Sequence, residues 1–307
     1  MSQIHSLASD LNAGDFRALA RAITIVENNL QGASDLLRNL KHSTEHRVVG
    51  ITGPPGAGKS TLVNALLHEW VSQGLRIAVL AIDPTSPFNY GALLGDRIRM
   101  TDFYGNPQVF IRSLASRGSL GGLHPKIIEV CDIVKQGRFD IILVETVGVG
   151  QSEVEIAGLS DCTVVVLVPE AGDEIQTMKS GVLEIADVFV VNKGDRPDSD
   201  AMVRRLRALA HERHSDEGET PVLKTVASCQ DGIVDLAKTI RLTLASLKAH
   251  PERHLHLLTE KALQLILGHR AKGLSKVEIR QKLKNALLDP EFNLYSFAEA
   301  EAHPISL

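Results

Sequence analysis

Cysteine is scarce: Cys131, Cys162 and Cys229 are the three in 307 residues. An odd, scattered set gives neither a disulfide framework nor a CxxC metal clamp, and it suits a reducing, cytoplasmic compartment. Aromatic residues make up only 4%, too few for the stacking platforms that bind single-stranded nucleic acid. Positive charge is not in excess either. The formal net charge is −4, which removes the basic footprint of a nucleic-acid partner. No apolar run approaches the roughly 20 residues that cross a bilayer, so no membrane association is expected. The opening residues, MSQIHSLASDLNAGD, lack the basic start and apolar core of a signal peptide.

What is present reads as an ordinary soluble protein, 44% hydrophobic and 23% charged. Leu19, Ala22, Ile23, Val26 and Leu30 recur at spacings of three and four, and Leu36, Leu37 and Leu40 prolong the stripe. That pattern predicts a helical arm over roughly residues 10–42. The rhythm then changes to short β-branched runs separated by helical stretches. These runs are RVVGIT (47–52), RIAVLAID (76–83), QVFIR (108–112), FDIILVET (139–146), TVVVLVP (163–169), DVFVVNK (187–193) and PVLKTVA (221–227). Continuous apolar strands alternating with helices mean an α/β fold with a mostly parallel sheet buried on both faces. Ligands then bind beyond the carboxyl ends of the strands. After about residue 250 the strand rhythm stops, and HLHLLTEKALQLILGHR and LSKVEIRQKLKNAL read as two helices around Gly273. The expected organisation is a helical N-terminal arm (1–45), a nucleotide-binding domain (46–250) and a C-terminal helical region (251–307).

The run RVVGIT leads into Gly53, Pro54, Pro55, Gly56, Ala57, Gly58, Lys59, Ser60 and Thr61, and the helix LVNALLHEWV follows. This is GxxxxGK[ST] in its strand–loop–helix context, the mark of a P-loop NTPase. Glycines let backbone N–H groups turn toward phosphate oxygens, and the helix N-terminus adds a positive partial charge. Lys59 is expected to bridge the β- and γ-phosphates and Ser60 to ligate Mg²⁺. The base is named by Asn192, Lys193, Gly194 and Asp195, an NKxD turn after DVFVV. Its carboxylate can accept the guanine ring N–H and exocyclic amine, which adenine cannot offer. Such a site rejects the wrong base by a factor on the order of 10⁴. Ala227 and Ser228, after the next strand, fit a small-residue loop backing the guanine carbonyl. GTP and GDP are therefore the expected nucleotides, and GTP hydrolysis the expected reaction.

Three carboxylates are placed to reach the carboxyl end of the sheet: Asp83, which ends the second strand in AIDPTS, Asp96 in LLGDRIRM, and Glu145, which ends FDIILVE. Each is a candidate for the magnesium end of the site. Helix capping is the plain alternative for Asp83 and Asp96. A charge closing an apolar strand, as Glu145 does, is costly unless it is used. Gly148 and Gly150 suit a loop that approaches the γ-phosphate and moves after hydrolysis. The segment from Glu170 to Lys179 carries more polar groups than a connector needs, and is a second candidate for a mobile element. A capped helix start with an exposed Lys179 is its plain alternative.

Together GPPGAGKSTL, AIDPTSPF, GALLGDRIRM, SRGSLGGL, ETVGVGQSE, AGDEIQTMKSG and EIADVFVVNKGD make the chain resemble the MeaB/ArgK family of methylmalonyl-CoA mutase-associated GTPases. The likeness covers about residues 10–235, with one departure: Tyr90 precedes Gly91 where the family commonly pairs glycines. The resemblance implies a GTPase chaperone of an adenosylcobalamin-dependent acyl-CoA mutase, gating cofactor loading and protecting the loaded mutase. It also implies that Asp83, Asp96 and Glu145 are the magnesium-site acids, and that Lys179 lies in the segment that responds to the mutase and aids hydrolysis. A homodimer joined through C-terminal helices is implied as well.

Two other readings share the fold class. A metal-insertion GTPase of the hydrogenase or urease accessory type would need ligands near the moving segments, such as His211 with His214, or His254 with His256. A transport-linked kinase would need an acceptor site, which nothing in the sequence builds. No glutamine stands where an attacking water would be oriented, that position being Val149. Slow intrinsic hydrolysis, completed by a partner, is the expectation.

Overall fold

The computed structural model describes residues 7, 9–11, 13–40, 48–83, 100–116, 123–147, 156–171, 185–212, 220–246, 251–271, 275–286, 288–289 and 292–302. Seven described strands form one parallel sheet: β1 (Val48–Thr52), β2 (Ile77–Asp83), β3 (Val109–Ala115), β4 (Ile141–Glu145), β5 (Cys162–Leu167), β6 (Val188–Val191) and β7 (Val222–Lys224). Their spatial order is β3-β2-β4-β1-β5-β6-β7. The strand carrying the phosphate loop is therefore central, with β4 on one side and β5 on the other. Every residue of β1, β2, β4, β5 and β6 is buried, as a parallel sheet covered on both faces requires.

The covering helices are α1 (Phe16–Glu27), α2 (Ala33–Arg38), α3 (Lys59–Ser72), α4 (Ile127–Val134), α5 (Ser199–Glu212) and α6 (Ile233–Ser246). On one face α3 and α6 bury Leu62, Leu66, Trp70, Leu236 and Ile240 against Ile51, Val79, Leu143 and Val164. On the other, α1, α2 and α4 bury Leu19, Ile23, Leu36 and Val130 against Leu80, Ile142 and Val144. Each fully buried Leu or Ile contributes about 1.5–3 kcal/mol. The N-terminal helices thus share the sheet's core.

Within the span expected for the helical arm the structure has two helices, α1 and α2. Asp15 caps α1 by accepting from Arg17 N and Ala18 N at 2.6 and 3.1 Å. The helix stops at Asn28 because Asn29 (φ 49°) and Gly32 (φ 91°) adopt left-handed backbone that a helix cannot continue. A second helix, α2, then restarts the apolar stripe.

Two compact units are distinguished, residues 1–257 and 258–307. The C-terminal helices are α7 (Pro251–Arg270), α8 (Lys276–Ala286) and α9 (Leu294–Ala302). The last was not read from the sequence. Its signal is Asn293, whose side chain accepts from Ser296 N at 3.1 Å as an N-cap. Among the described residues of the second unit, none belongs to the buried core, and Leu263, Ile266, Leu267, Val277, Leu288 and Leu294 are about half exposed or more. No described helix is long and apolar enough to cross a membrane.

Candidate functional site

The loop between β1 and α3 is shaped by glycines that no other residue could replace. Gly53 has φ +139°, and a Cβ on it would lie 2.0 Å from Val166 O of the neighbouring strand. Gly58 has φ +86°, and its Cβ would meet Asn192 Nδ2 at 2.5 Å. Backbone therefore turns inward where side chains would block it. Lys59 is buried, with Nζ 2.9 Å from Gly53 O and 3.1 Å from Pro54 O. Its ammonium thus lies within the loop rather than in solvent. Pro54 and Ala57 are buried, while Pro55, Gly56 and Thr61 are exposed.

Ser60 stands one residue into α3, and its Oγ donates to Glu145 Oε1 at 2.6 Å. Sheet register explains the meeting: Glu145 is level with Ile51 on β1 and with Ala81 on β2. Asp83, two positions beyond Ala81, lies on the same sheet face as Glu145 by strand alternation. Asp83 and Glu145 are each 3% exposed. The Ser60 hydroxyl and the Glu145 carboxylate meet at the helix end of the phosphate loop, and buried Asp83 closes β2 on the same sheet face. Hard oxygen donors, too few for a full cage, suit Mg²⁺, which keeps waters and phosphate oxygens in its shell. Asp96 and Lys179, the other expected acid and the expected partner-responsive lysine, lie outside the described residues, as do Gly148 and Gly150.

The base turn is brought against this loop through the ladder of β5 and β6. Asn192 is buried and makes three bonds: Nδ2 donates to Ala57 O at 2.9 Å, while Oδ1 accepts from Ala227 N and Thr225 Oγ1, each at 3.2 Å. Lys193, with φ +56°, donates from Nζ to Gly56 O at 2.7 Å. Left-handed backbone at a non-glycine residue costs about 1 kcal/mol or more, and is held by such contacts. Ser199 Oγ donates to Gly194 O at 2.8 Å, and Lys224 Nζ pairs with Asp200 at 2.7 Å. Asp195 and Ser228 stay exposed at the rim, while Ala227 is buried against Asn192. An exposed carboxylate on a braced turn can accept two parallel N–H donors, which is what guanine presents.

Sequence reasoning missed several supporting groups. Thr52 and Thr146 form a buried hydroxyl pair at the ends of β1 and β4, and Thr225 supports Asn192. Each is a threonine at the carboxyl end of a strand, which the sequence shows, while the partner it bonds is set by strand order, which the sequence does not. Arg196 reaches across to Glu170, which opens the segment after β5. The hydrogen bond from Arg196 holds the Glu170 carboxyl below its ordinary range, and the bond from Lys224 does the same for Asp200. Of the histidines considered as metal ligands, His214 lies outside the described residues. No group of three or more His, Cys, Asp or Glu side chains among the described residues is placed to hold a metal ion.

Comparison with known proteins agrees with this geometry. The family model described as methylmalonyl Co-A mutase-associated GTPase MeaB matches residues 19–265. A relative from Pyrococcus abyssi is 48% identical over 244 residues, 78% of this chain and 75% of its own. The mouse protein named methylmalonic aciduria type A homolog, mitochondrial, is 35% identical over 78% of this chain and 62% of its own. A crystal structure titled LAO/AO transport system kinase superposes with a TM-score of 0.68 at 25% identity, covering 98% of both chains.

Proposed function

The chain belongs to the MeaB family of GTPases and hydrolyses GTP, and from that premise we propose that it is a chaperone of an adenosylcobalamin-dependent acyl-CoA mutase of the methylmalonyl-CoA type. Its GTP cycle would gate cofactor loading and protect the loaded mutase. The observation that carries the nucleotide chemistry is the convergence of Lys59, Ser60 and Glu145 with the Asn192 turn on one phosphate loop. Support for the client is the family's description as mutase-associated, together with the name of the mouse relative.

In this reading Gly53 to Thr61 cradle the phosphates with backbone N–H groups. Lys59 leaves the carbonyls of Gly53 and Pro54 for the β- and γ-phosphate oxygens, and neutralises charge that grows as the terminal phosphoryl departs. Asn192, Lys193 and Asp195, backed by Ala227 and Ser228, hold the guanine. Ser60 and Glu145, with Asp83 and Asp96, would hold Mg²⁺, directly or through water. When bound, the ion would screen phosphate charge and fix the geometry of displacement. Lys179 would reach the site when the client docks. The C-terminal helices would join two copies of the chain.

Capture of the mutase by the tagged full-length protein tests the proposal, with GDP in one arm and a non-hydrolysable GTP analogue in the other. Binding to the mutase that differs between the two nucleotides is expected. Equal binding, or none, overturns the chaperone role while leaving GTP hydrolysis intact. The kinase named for the superposed structure is the second reading. Label from γ-labelled GTP that stays on protein instead of appearing as free phosphate would favour it.

A further inference from the structure

Residues 145 and 146 hold the phosphate loop by both of its ends. Glu145 accepts from Ser60 at 2.6 Å, where the loop becomes α3. Thr146 Oγ1 donates to Thr52 Oγ1 at 3.0 Å, where β1 becomes the loop. Consecutive strand residues point to opposite faces. Leu143 packs in the cluster under α3, and Val144 in the cluster under α1, α2 and α4. Glu145 therefore faces α3, and Thr146 faces the opposite layer. Thr146 N also donates to Ile51 O at 3.1 Å, carrying the β1–β4 ladder one residue past Glu145.

The two threonines are 0% and 2% exposed. Their neighbours on that face include the apolar Val48, Leu80, Ile82 and Val144, and the other polar strand side chains there, Thr163 and Arg112, are bonded to Ser160 and Glu27. A hydroxyl in such surroundings is costly unless it is bonded. Valine would fill nearly the same volume without that cost, so packing alone gives no reason for two hydroxyls here. Their bond locks the root of the phosphate loop to the residue that follows Glu145. It also fixes the point from which the chain leaves β4 toward Gly148.

We propose that Thr146 is a positioning residue, which through Thr52 keeps the Glu145 carboxylate registered on the Ser60 end of the phosphate loop. This rests on the assignment of Ser60 and Glu145 to the magnesium end. Without the bond, Glu145 and the loop root shift independently, and magnesium-dependent retention of nucleotide weakens while base recognition is untouched.

The full-length chain is compared as wild type, Thr146→Val, Thr52→Val, the double variant, Thr146→Ser and Glu145→Gln. Binding of fluorescent GDP is followed across a magnesium titration and in EDTA, beside GTP turnover and thermal unfolding. Each valine variant is expected to raise the magnesium half-saturation about tenfold, the scale of one buried hydrogen bond. The double variant is expected to be no worse than the more affected single, because one bond is lost in all three. Thr146→Ser is expected to restore the wild-type titration, and GDP affinity in EDTA to stay within about twofold throughout. A lowered melting temperature with an unchanged magnesium titration would mean a purely structural pair and overturn the proposal. Valine effects that sum, or a serine variant that behaves like valine, overturn it as well. Should Thr146→Val fail to fold, Thr52→Val gives the same readout. Glu145→Gln separates the two layers. A shift there without one in the valine variants removes Thr146 alone, whereas no shift in Glu145→Gln removes the magnesium assignment beneath it.

Discussion

Asn192 Nδ2 donates to Ala57 O over 2.9 Å, while its Oδ1 accepts from Ala227 N and Thr225 Oγ1. One buried amide thus ties the phosphate loop after β1 to the base turn after β6 and to the loop after β7. With Lys193 on Gly56 O, the three loops form a hydrogen-bonded unit before any nucleotide is considered. A residue in this position matters to the fold as much as to the ligand.

Asn192→Ala should therefore lower stability and weaken GTP and GDP alike. It strips partners from a buried carbonyl, a backbone N–H and a hydroxyl, each worth about 1–3 kcal/mol when left unpaired. Thermal unfolding and fluorescent-GDP binding measure the two effects. An unchanged melting temperature would reduce Asn192 to a ligand contact.

Asp195 is the opposite case. It is exposed and sits on a turn braced by Ser199 and Lys193. Asp195→Asn should leave the melting temperature near wild type and erode the preference for GTP over ATP, since an amide cannot accept both guanine protons. Competition binding with ATP and xanthosine triphosphate gives the readout. Wild type that binds ATP as well as GTP would sink the assignment of the base turn.

Lys59→Ala should abolish turnover, the loss expected when the charge on the transferring phosphoryl group goes unneutralised. Removing the ammonium also strips the donor from Gly53 O and Pro54 O, so water must take its place there. Single-turnover assays at saturating GTP separate the rate from binding. Residual hydrolysis within about tenfold of wild type, some 1.4 kcal/mol, is too small a loss for a catalytic lysine.

How much of this was legible beforehand follows from what each signal depends on. The seven strands, the phosphate loop and the Asn192 turn were readable because local pattern specifies them: β-branched runs, a glycine-rich consensus and a polar tetrad closing a strand. The meeting of Ser60 with Glu145 depends on strand order, in which β4 lies beside β1 although two strands intervene in sequence. Periodicity does not encode that order. The Thr52–Thr146 bond was invisible for the same reason. The break after α1 was written in Asn28, Asn29 and Gly32, but the hydrophobic stripe continues across it and masks the left-handed turn. Helix α9 lacked a strong apolar stripe, and only the Asn293 cap announced it.

Self-association should depend on the C-terminal helices. Leu263, Ile266 and Leu267 on α7 are 48%, 50% and 56% exposed. Three neighbouring aliphatic side chains in water favour burial by about 25 cal/mol for each Å² covered. Light scattering should report a dimer for wild type and a monomer for the full chain carrying Leu263→Arg with Ile266→Arg. A variant with the wild-type mass would place any dimer contact elsewhere.

Client-stimulated hydrolysis is the furthest-reaching expectation, and it rests on what the described site contains. In the proposed site Lys59, Ser60 and Glu145 would contact phosphate and magnesium, and the Asn192 turn, bonded to the same loop, would hold the base. Val149 occupies the position from which other GTPases orient the attacking water, and valine has no polar atom to do so. A transition-state charge that a partner brings into place is worth about 10³–10⁵ in rate. Glu170, which follows β5 and opens the stretch leading in sequence to Lys179, is paired with Arg196, the residue after the Asn192–Asp195 turn. A mutase docking on that stretch would swing Lys179 toward the phosphates, so that turnover follows client engagement rather than free GTP. Phosphate release is to be measured with and without the mutase, for wild type and Lys179→Ala. Wild type should be stimulated. The variant should keep its nucleotide affinity and basal rate and lose the stimulation. A Lys179→Ala protein stimulated as strongly as wild type would make that lysine a surface residue, and the completing charge would then have to come from the client.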